Sequence, residues 1–324
     1  MPIPGITTEQ LRTIVWPLFM VEADGKKTPI GSATVIGAFG AHALLITAGH
    51  ILQYAERVDD PRQWHHSSAL QFFLPERSRN REWRQMSLHV MAGDETGNFA
   101  VCDVTHVGHS KSTDAAILFV DVPEGVDHRI STSLPIRSRG PLLDEKIYTV
   151  GYFDISDVTQ KHWPPFLPKE ILAPDLAFFD GRITHLDGTV LDVFEEGEAL
   201  NRWPCFKVST PFHSGMSGGA ILSIAKDGAL VLSGVISSDA STKEGQEKYG
   251  SGENAIASKI YPVLGLRFGE ALTYEYEENE SLVSEKKERL LDFLDGEAVV
   301  DIDHAQDHLQ VEIKSNGYLQ YSWT

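Results

Sequence analysis

Short apolar runs, most of them bounded by glycine, proline, asparagine or aspartate, recur along most of this chain, and almost nothing in it follows the 3.6-residue period of a helix. The runs cover residues 14–22, 30–37, 43–50, 70–74, 86–91, 100–107, 112–120, 146–153, 176–184, 220–222, 230–237 and 254–260. Many short strands at fairly even spacing predict an all-β barrel or sandwich. Residues 55–68 are polar and read as a loop. Residues 154–174 hold Pro164, Pro165, Pro168 and Pro174, and proline removes the amide donors a helix needs, so this stretch reads as an irregular excursion. The 324 residues suffice for a substantial core.

The end of the chain reads differently. Residues 281–294 place Leu282, Val283, Leu290, Leu291, Phe293 and Leu294 among charges behind a capping Ser281, which predicts a helix. Residues 309–313 and 318–323 alternate around Ser315-Asn316-Gly317, a hairpin signal. We therefore divide the chain into a main unit, residues 1–268, and an acidic extension, residues 269–324.

Charge and composition exclude several functions. The formal net charge is −18, which repels nucleic acid. Half of it lies between Glu270 and Asp303, where twelve residues are acidic and three basic. Arg77, Arg79, Arg81 and Arg84 form the one local basic cluster and read as a solvated loop. No apolar run approaches the roughly 18 residues of a membrane span, so no membrane partner is expected. The first ten residues lack the basic start of a signal peptide, and two cysteines, Cys102 and Cys205, are too few for a disulfide framework. A cytoplasmic protein is expected. The pairs His65-His66 and His106, His109 lack carboxylates or cysteines at ligand spacing, so neither a metal nor another cofactor is expected.

One stretch carries chemistry. Gly215-Met216-Ser217-Gly218-Gly219 holds a hydroxyl between glycines just ahead of an apolar run, and such a turn exposes one serine Oγ while aiming successive N–H groups at one small volume. A serine at neutral pH needs a base, and the base needs an orienting group. His50 closes the apolar strand Ile46-Thr47-Ala48-Gly49-His50, and Asp114 stands immediately before the apolar run Ala115-Ala116-Ile117-Leu118. Asp103 is a competing carboxylate, though its neighbours alternate as in an ordinary strand.

Thr47-Ala48-Gly49-His50, Asp114-Ala115-Ala116-Ile117-Leu118 and Gly215–Gly219 resemble, in this order, the three motifs of the chymotrypsin-like serine peptidases. Val150-Gly151-Tyr152, Gly234–Ser238 and Ala257–Ile260 agree, and the resemblance spans roughly residues 12–268. It implies a double six-stranded antiparallel β-barrel with the site in the cleft between barrels. By position it implies Ser217 as nucleophile, His50 as general base and acid, Asp114 as the orienting carboxylate, and the N–H groups of Gly215 and Ser217 as the oxyanion hole. It places Pro211 at the base of the substrate pocket, His213, Ser237, Ser238 and Ala255 on its walls, and Asp239 at its rim. With no acid at the base, a small or uncharged residue is expected before the scissile bond. Met216 stands where digestive members carry an acid, and Ile51 where a cysteine usually follows the histidine, so the chain is similar instead to intracellular and HtrA-like members without a PDZ domain. The expected function is a restrained serine endopeptidase acting on a protein or peptide, gated by the excursion 154–174 or the acidic tail; residues 270–303 read first as a solvated face, and the alternative is that 269–324 docks a regulatory protein. The rival is a scaffold of the same fold whose triad is not aligned.

Overall fold

The computed structural model describes residues 3–21, 27–39, 42–56, 69–73, 87–93, 99–109, 113–122, 134–153, 157–158, 178–179, 182–198, 201, 203–238, 255–264, 267–268, 302–303, 309–313 and 319–323. The first strands are β1 (Val15–Val21), β2 (Lys27–Phe39), β3 (His42–Ala48), β4 (Ala69–Phe73), β5 (Ser87–Gly93), β6 (Phe99–His109) and β7 (Ala115–Asp121). The rest are β8 (Lys146–Phe153), the small pair β9 (Asp157–Val158) and β10 (Phe178–Phe179), then β11 (Arg182–Phe194), β12 (Cys205–Val208), β13 (Ala220–Ile224), β14 (Leu230–Ser238), β15 (Ala255–Ser258), β16 (Arg267–Phe268), β17 (Leu309–Ile313) and β18 (Leu319–Trp323). Three short helices, α1 (Thr8–Ile14), α2 (Gly49–Glu56) and α3 (Tyr261–Leu264), complete the described elements.

The strands form two closed barrels. In the first, the order β6-β5-β1-β2-β3-β7 closes because β7 also pairs with β6, while β4 and β16 extend the sheet beyond β6. In the second, β11-β12-β15-β14-β13-β8 close on themselves. Every pairing within these two six-stranded rings is antiparallel. This is the double six-stranded barrel expected from the sequence.

Alternation explains how the barrels meet. A strand turns successive side chains to opposite faces. On β8, Tyr148, Val150 and Tyr152 join a core continuous with that of the first barrel, whereas Ile147 enters the interior of the second with Phe206, Val208, Phe212, Met216 and Ile221. Both faces are covered, which is why residues 146–153 read as one apolar run. Helix α1 packs against β1, β2 and β5 of the first barrel and β11 of the second. It is held by a capping box, the Gln10 N–H donating to Thr7 Oγ1 at 3.2 Å and the Thr7 N–H to Gln10 Oε1 at 2.9 Å.

Some sequence expectations shift. Residues 8–14 are helical, and β1 begins only at Val15; the pair Thr7 and Gln10 was the available signal. β3 ends at Ala48, so His50 lies on α2 and not at a strand end. β11 reaches Phe194, ten residues beyond the predicted run, because it pairs along its length first with β8 and then with β12. β17 and β18 pair antiparallel as the predicted hairpin requires. The predicted helix 281–294, the arginine cluster, His65-His66 and most of the proline-rich excursion lie outside the described residues. Just upstream of that hairpin, Ile302 bridges Ile136 in parallel, the Asp303 N–H donates to Ile136 O at 3.0 Å, and Ser138 Oγ donates to Asp303 Oδ1 at 2.6 Å. Among the described residues no helix is long and apolar enough to cross a membrane.

Cys102 and Cys205 are buried thiols, and burial pushes the Cys205 thiol up to about 12. Neither cysteine should react with a thiol reagent at pH 8 in the native protein, and both should react in denaturant. Rapid titration of either under native conditions would contradict this packing.

Candidate active site

Strand register assembles the site. In the first barrel, Ala48 at the end of β3 pairs with Ala115 at the start of β7. His50, two residues beyond one strand, and Asp114, one residue ahead of the other, therefore extend from the same end. In the second, Ala220 pairs with Val235, and the ladder is prolonged by the Ile236 N–H donating to Gly219 O at 2.9 Å and the Gly218 N–H to Ile236 O at 2.8 Å. This brings Ser217 and Ser237 together past the end of β13.

Asp114 is gripped on both carboxylate oxygens. The His50 N–H donates to Oδ1 at 2.7 Å, and His50 Nδ1 lies 2.9 Å from Oδ2, which also accepts a short hydrogen bond from Ser237 Oγ. The Asp114 carbonyl accepts from the Gly49 N–H at 2.7 Å, so the start of α2 is pinned to the same residue. Burial pushes the Asp114 carboxyl up, but the His50 charge and the hydrogen bonds from the imidazole, the Ser237 hydroxyl and the His50 amide outweigh it and hold the carboxyl below its usual range. His50 is half-buried. Ser217 Oγ donates to Ser237 O at 3.3 Å. One residue, Ser237, thus touches the carboxylate with its side chain and the Ser217 hydroxyl with its carbonyl.

The turn ahead of Ser217 is equally determined. The Met216 N–H donates to His213 O at 3.0 Å, and Gly215, third of the four residues, has φ +92°. That is a type II β-turn, whose third position demands positive φ and hence glycine. The Gly219 N–H donates to Met216 O at 2.8 Å. Met216, Gly218 and Gly219 thus have occupied amides, whereas those of Gly215 and Ser217 donate to no protein acceptor among the described residues. Two unclaimed N–H groups flanking a buried residue, beside a serine hydroxyl, are what a developing oxyanion requires. Gly218 has φ +84°, and a Cβ there would sit 2.0 Å from Ser32 O and 2.2 Å from Thr47 Oγ1, so the turn rests directly on the first barrel.

Met216 is fully buried in the second barrel's core, and a Cβ at Gly151 would meet its Cα and Cβ at 3.0 Å. Its Sδ lies 3.5 Å from the His213 N–H. The position is held by apolar packing and needs no charge.

The structure separates the remaining sequence candidates. Asp103 lies on β6, largely exposed and 2.7 Å from His89 Nδ1, and that hydrogen bond holds it below its usual range; it is not the carboxylate beside His50. Of the expected pocket residues, Pro211 is exposed, His213 half-buried, and Ala255 buried in the second core with Phe212. The Ser237 hydroxyl faces Asp114. Ser238 ends β14, and Asp239 lies outside the described residues. No group of three or more His, Cys, Asp or Glu among the described residues is placed to hold a metal. What the sequence reading missed is Ser32, fully buried on β2, whose polar groups all face this site; its small neighbours at the start of a strand were the only sign.

No protein-family model matches the sequence, and no curated protein matches it. Among solved structures, the active form of the Rv3671c protease from M. tuberculosis is 13% identical with TM-score 0.43, covering 90% of this chain and 92% of that one. Deg5 is 14% identical with TM-score 0.42, covering 71% and 81%. Neuropsin, a serine protease expressed in the limbic system of mouse brain, is 12% identical with TM-score 0.42, covering 78% and 92%. The fold is the trypsin-like double barrel. Its strand pairing establishes this without the likenesses.

A depressed carboxylate stabilises the folded chain above its unfolded value of about 3.9, and that contribution disappears as pH falls through the lower folded value. Asp114→Asn should therefore cost about 1–3 kcal/mol at pH 7, with the gap to wild type narrowing below roughly pH 4. Denaturant titrations at both pH values check this; a gap independent of pH would overturn it.

Proposed function

We propose that this chain is a serine endopeptidase that cleaves protein or peptide substrates through an acyl-enzyme. The observation supporting this is the run of contacts His50–Asp114–Ser237–Ser217 at the seam between barrels, beside a turn with two unclaimed amides. In this reading Ser217 Oγ attacks the scissile carbonyl and its proton passes to His50 Nε2, the ring nitrogen not engaged by Asp114. The N–H groups of Gly215 and Ser217 receive the oxyanion. The tetrahedral species then expels the amine, which takes its proton from His50, and water repeats the sequence on the ester. Asp114 fixes the His50 tautomer and stabilises the imidazolium without itself taking the proton.

The resting Ser217 hydroxyl donates to Ser237 O, so it must rotate towards His50 before attack. We take the enzyme to be restrained until substrate or a partner engages it. The extension 269–324 is the candidate site for such a protein partner, and residues 302–303 anchor it to residues 136–138. An uncharged residue before the scissile bond suits a site in which Pro211 and Ala255 offer no charge. Two buried cysteines, too few for a disulfide framework, suit the cytoplasm.

A fluorophosphonate probe should label wild type once, on Ser217. Ser217→Ala should take no label, and His50→Ala should label at least about 100-fold more slowly, the usual worth of a general base. A folded wild type that neither labels nor hydrolyses a peptide library would favour the scaffold instead.

A further inference from the structure

Ser32 belongs to none of the expected motifs, yet each of its polar groups is engaged around the nucleophile turn. The β2–β3 ladder begins at Thr34, opposite Ile46, so Ser32 lies two residues outside it. Its backbone serves other partners. The Ser32 N–H donates to Ser217 O at 2.7 Å, and Ser32 O accepts from Thr47 Oγ1 at 2.7 Å. Its hydroxyl is doubly used, accepting the Tyr152 N–H at 3.0 Å and donating to Gly215 O at 2.8 Å. A hydroxyl has one proton, and the amide arriving from β8 leaves that proton to point at Gly215. Tyr152 N–H is available because β13 starts at Ala220, opposite Val150, leaving the edge of β8 open beyond that point.

The consequence lies in the peptide planes. Between Gly215 and Met216, the carbonyl is held by Ser32 Oγ and the N–H by His213 O. Between Ser217 and Gly218, the carbonyl is held by the Ser32 N–H and the N–H by Ile236 O. Fixing both planes sets the direction of the Ser217 N–H between them and restrains the Gly215 N–H, which lies one peptide ahead of the first. We propose that Ser32 is a positioning residue for the oxyanion hole: its hydroxyl relays the position of β8 to Gly215, and its amide clamps Ser217, so that the barrel lacking the nucleophile sets the geometry of the donors. This rests on the peptidase reading for its catalytic consequence but not for its structural one.

The test therefore has two arms on full-length protein. In the Ser217→Ala background, Ser32→Ala should raise the amide hydrogen-exchange rates of Met216 and Gly218 by about tenfold or more while leaving Leu222 on β13 unchanged, since local opening and not global unfolding is involved. Unchanged protection at Met216 and Gly218 would overturn the proposal whatever the enzyme does. In the active background, Ser32→Ala should lower kcat by about ten- to a hundredfold with KM within about twofold, less than deleting a donor outright. It should weaken a peptide aldehyde, which forms an oxyanion, by a similar factor, without weakening the cleaved peptide product. Ser32→Thr, which keeps the hydroxyl, should recover most of kcat. Equal losses of aldehyde and product binding, or full kcat in Ser32→Ala, would refute the positioning role. If Ser32→Ala does not fold, Ser32→Cys keeps the shape with only a weak donor and must show the same pattern. A wild type without hydrolysis would defeat the peptidase reading alone, because the exchange arm still reads the turn.

Discussion

The constraint on which the rest of the structure depends is direct backbone contact between the barrels at Ser32 and Ser217. A hydrogen bond of 2.7 Å between main chains, with Gly218 pressed against Ser32 O and Thr47 Oγ1, leaves no room for a side chain at the seam. Small residues on β2 and glycines in the turn follow from that approach. So does continuity of the core, since Tyr148, Val150 and Tyr152 on the second barrel pack with residues of the first. A buried polar seam of this kind is tolerable only when its donors and acceptors are matched, and at Ser32 every polar group is.

The site is therefore a product of register more than of local sequence. Ala48 opposite Ala115 and Ala220 opposite Val235 are ordinary cross-strand pairs, yet they bring four functional groups from two barrels to one place. A slip of one residue in either ladder would turn Asp114 or Ser237 to the other face. Burial of Asp114 adds to this, because an ionised carboxylate is kept there only by His50 and Ser237.

Much of this could be read from the chain. Alternating apolar runs gave the strands, and Gly215, Gly218 and Gly219 around Ser217 marked a turn of unusual backbone. Other features were hidden for physical reasons. Helix α1 has only seven residues and is stabilised by its Thr7–Gln10 cap and by packing, so periodicity is too brief to detect. The double use of Ser237 and the role of Ser32 depend on partners 123 and 183 residues distant in sequence, and no local pattern encodes such distances.

Met216 carries a consequence for control. In a turn whose shape depends on an ion pair, ionic strength, pH or a newly created chain end can switch the shape. Here the anchoring side chain is an apolar plug beneath the turn, seated against Gly151, and residues 8–14 are occupied as a brace across both barrels. Such a turn is insensitive to salt and has no use for a fresh amino group. On the peptidase reading, control acts on what approaches the site and not on the shape of the turn.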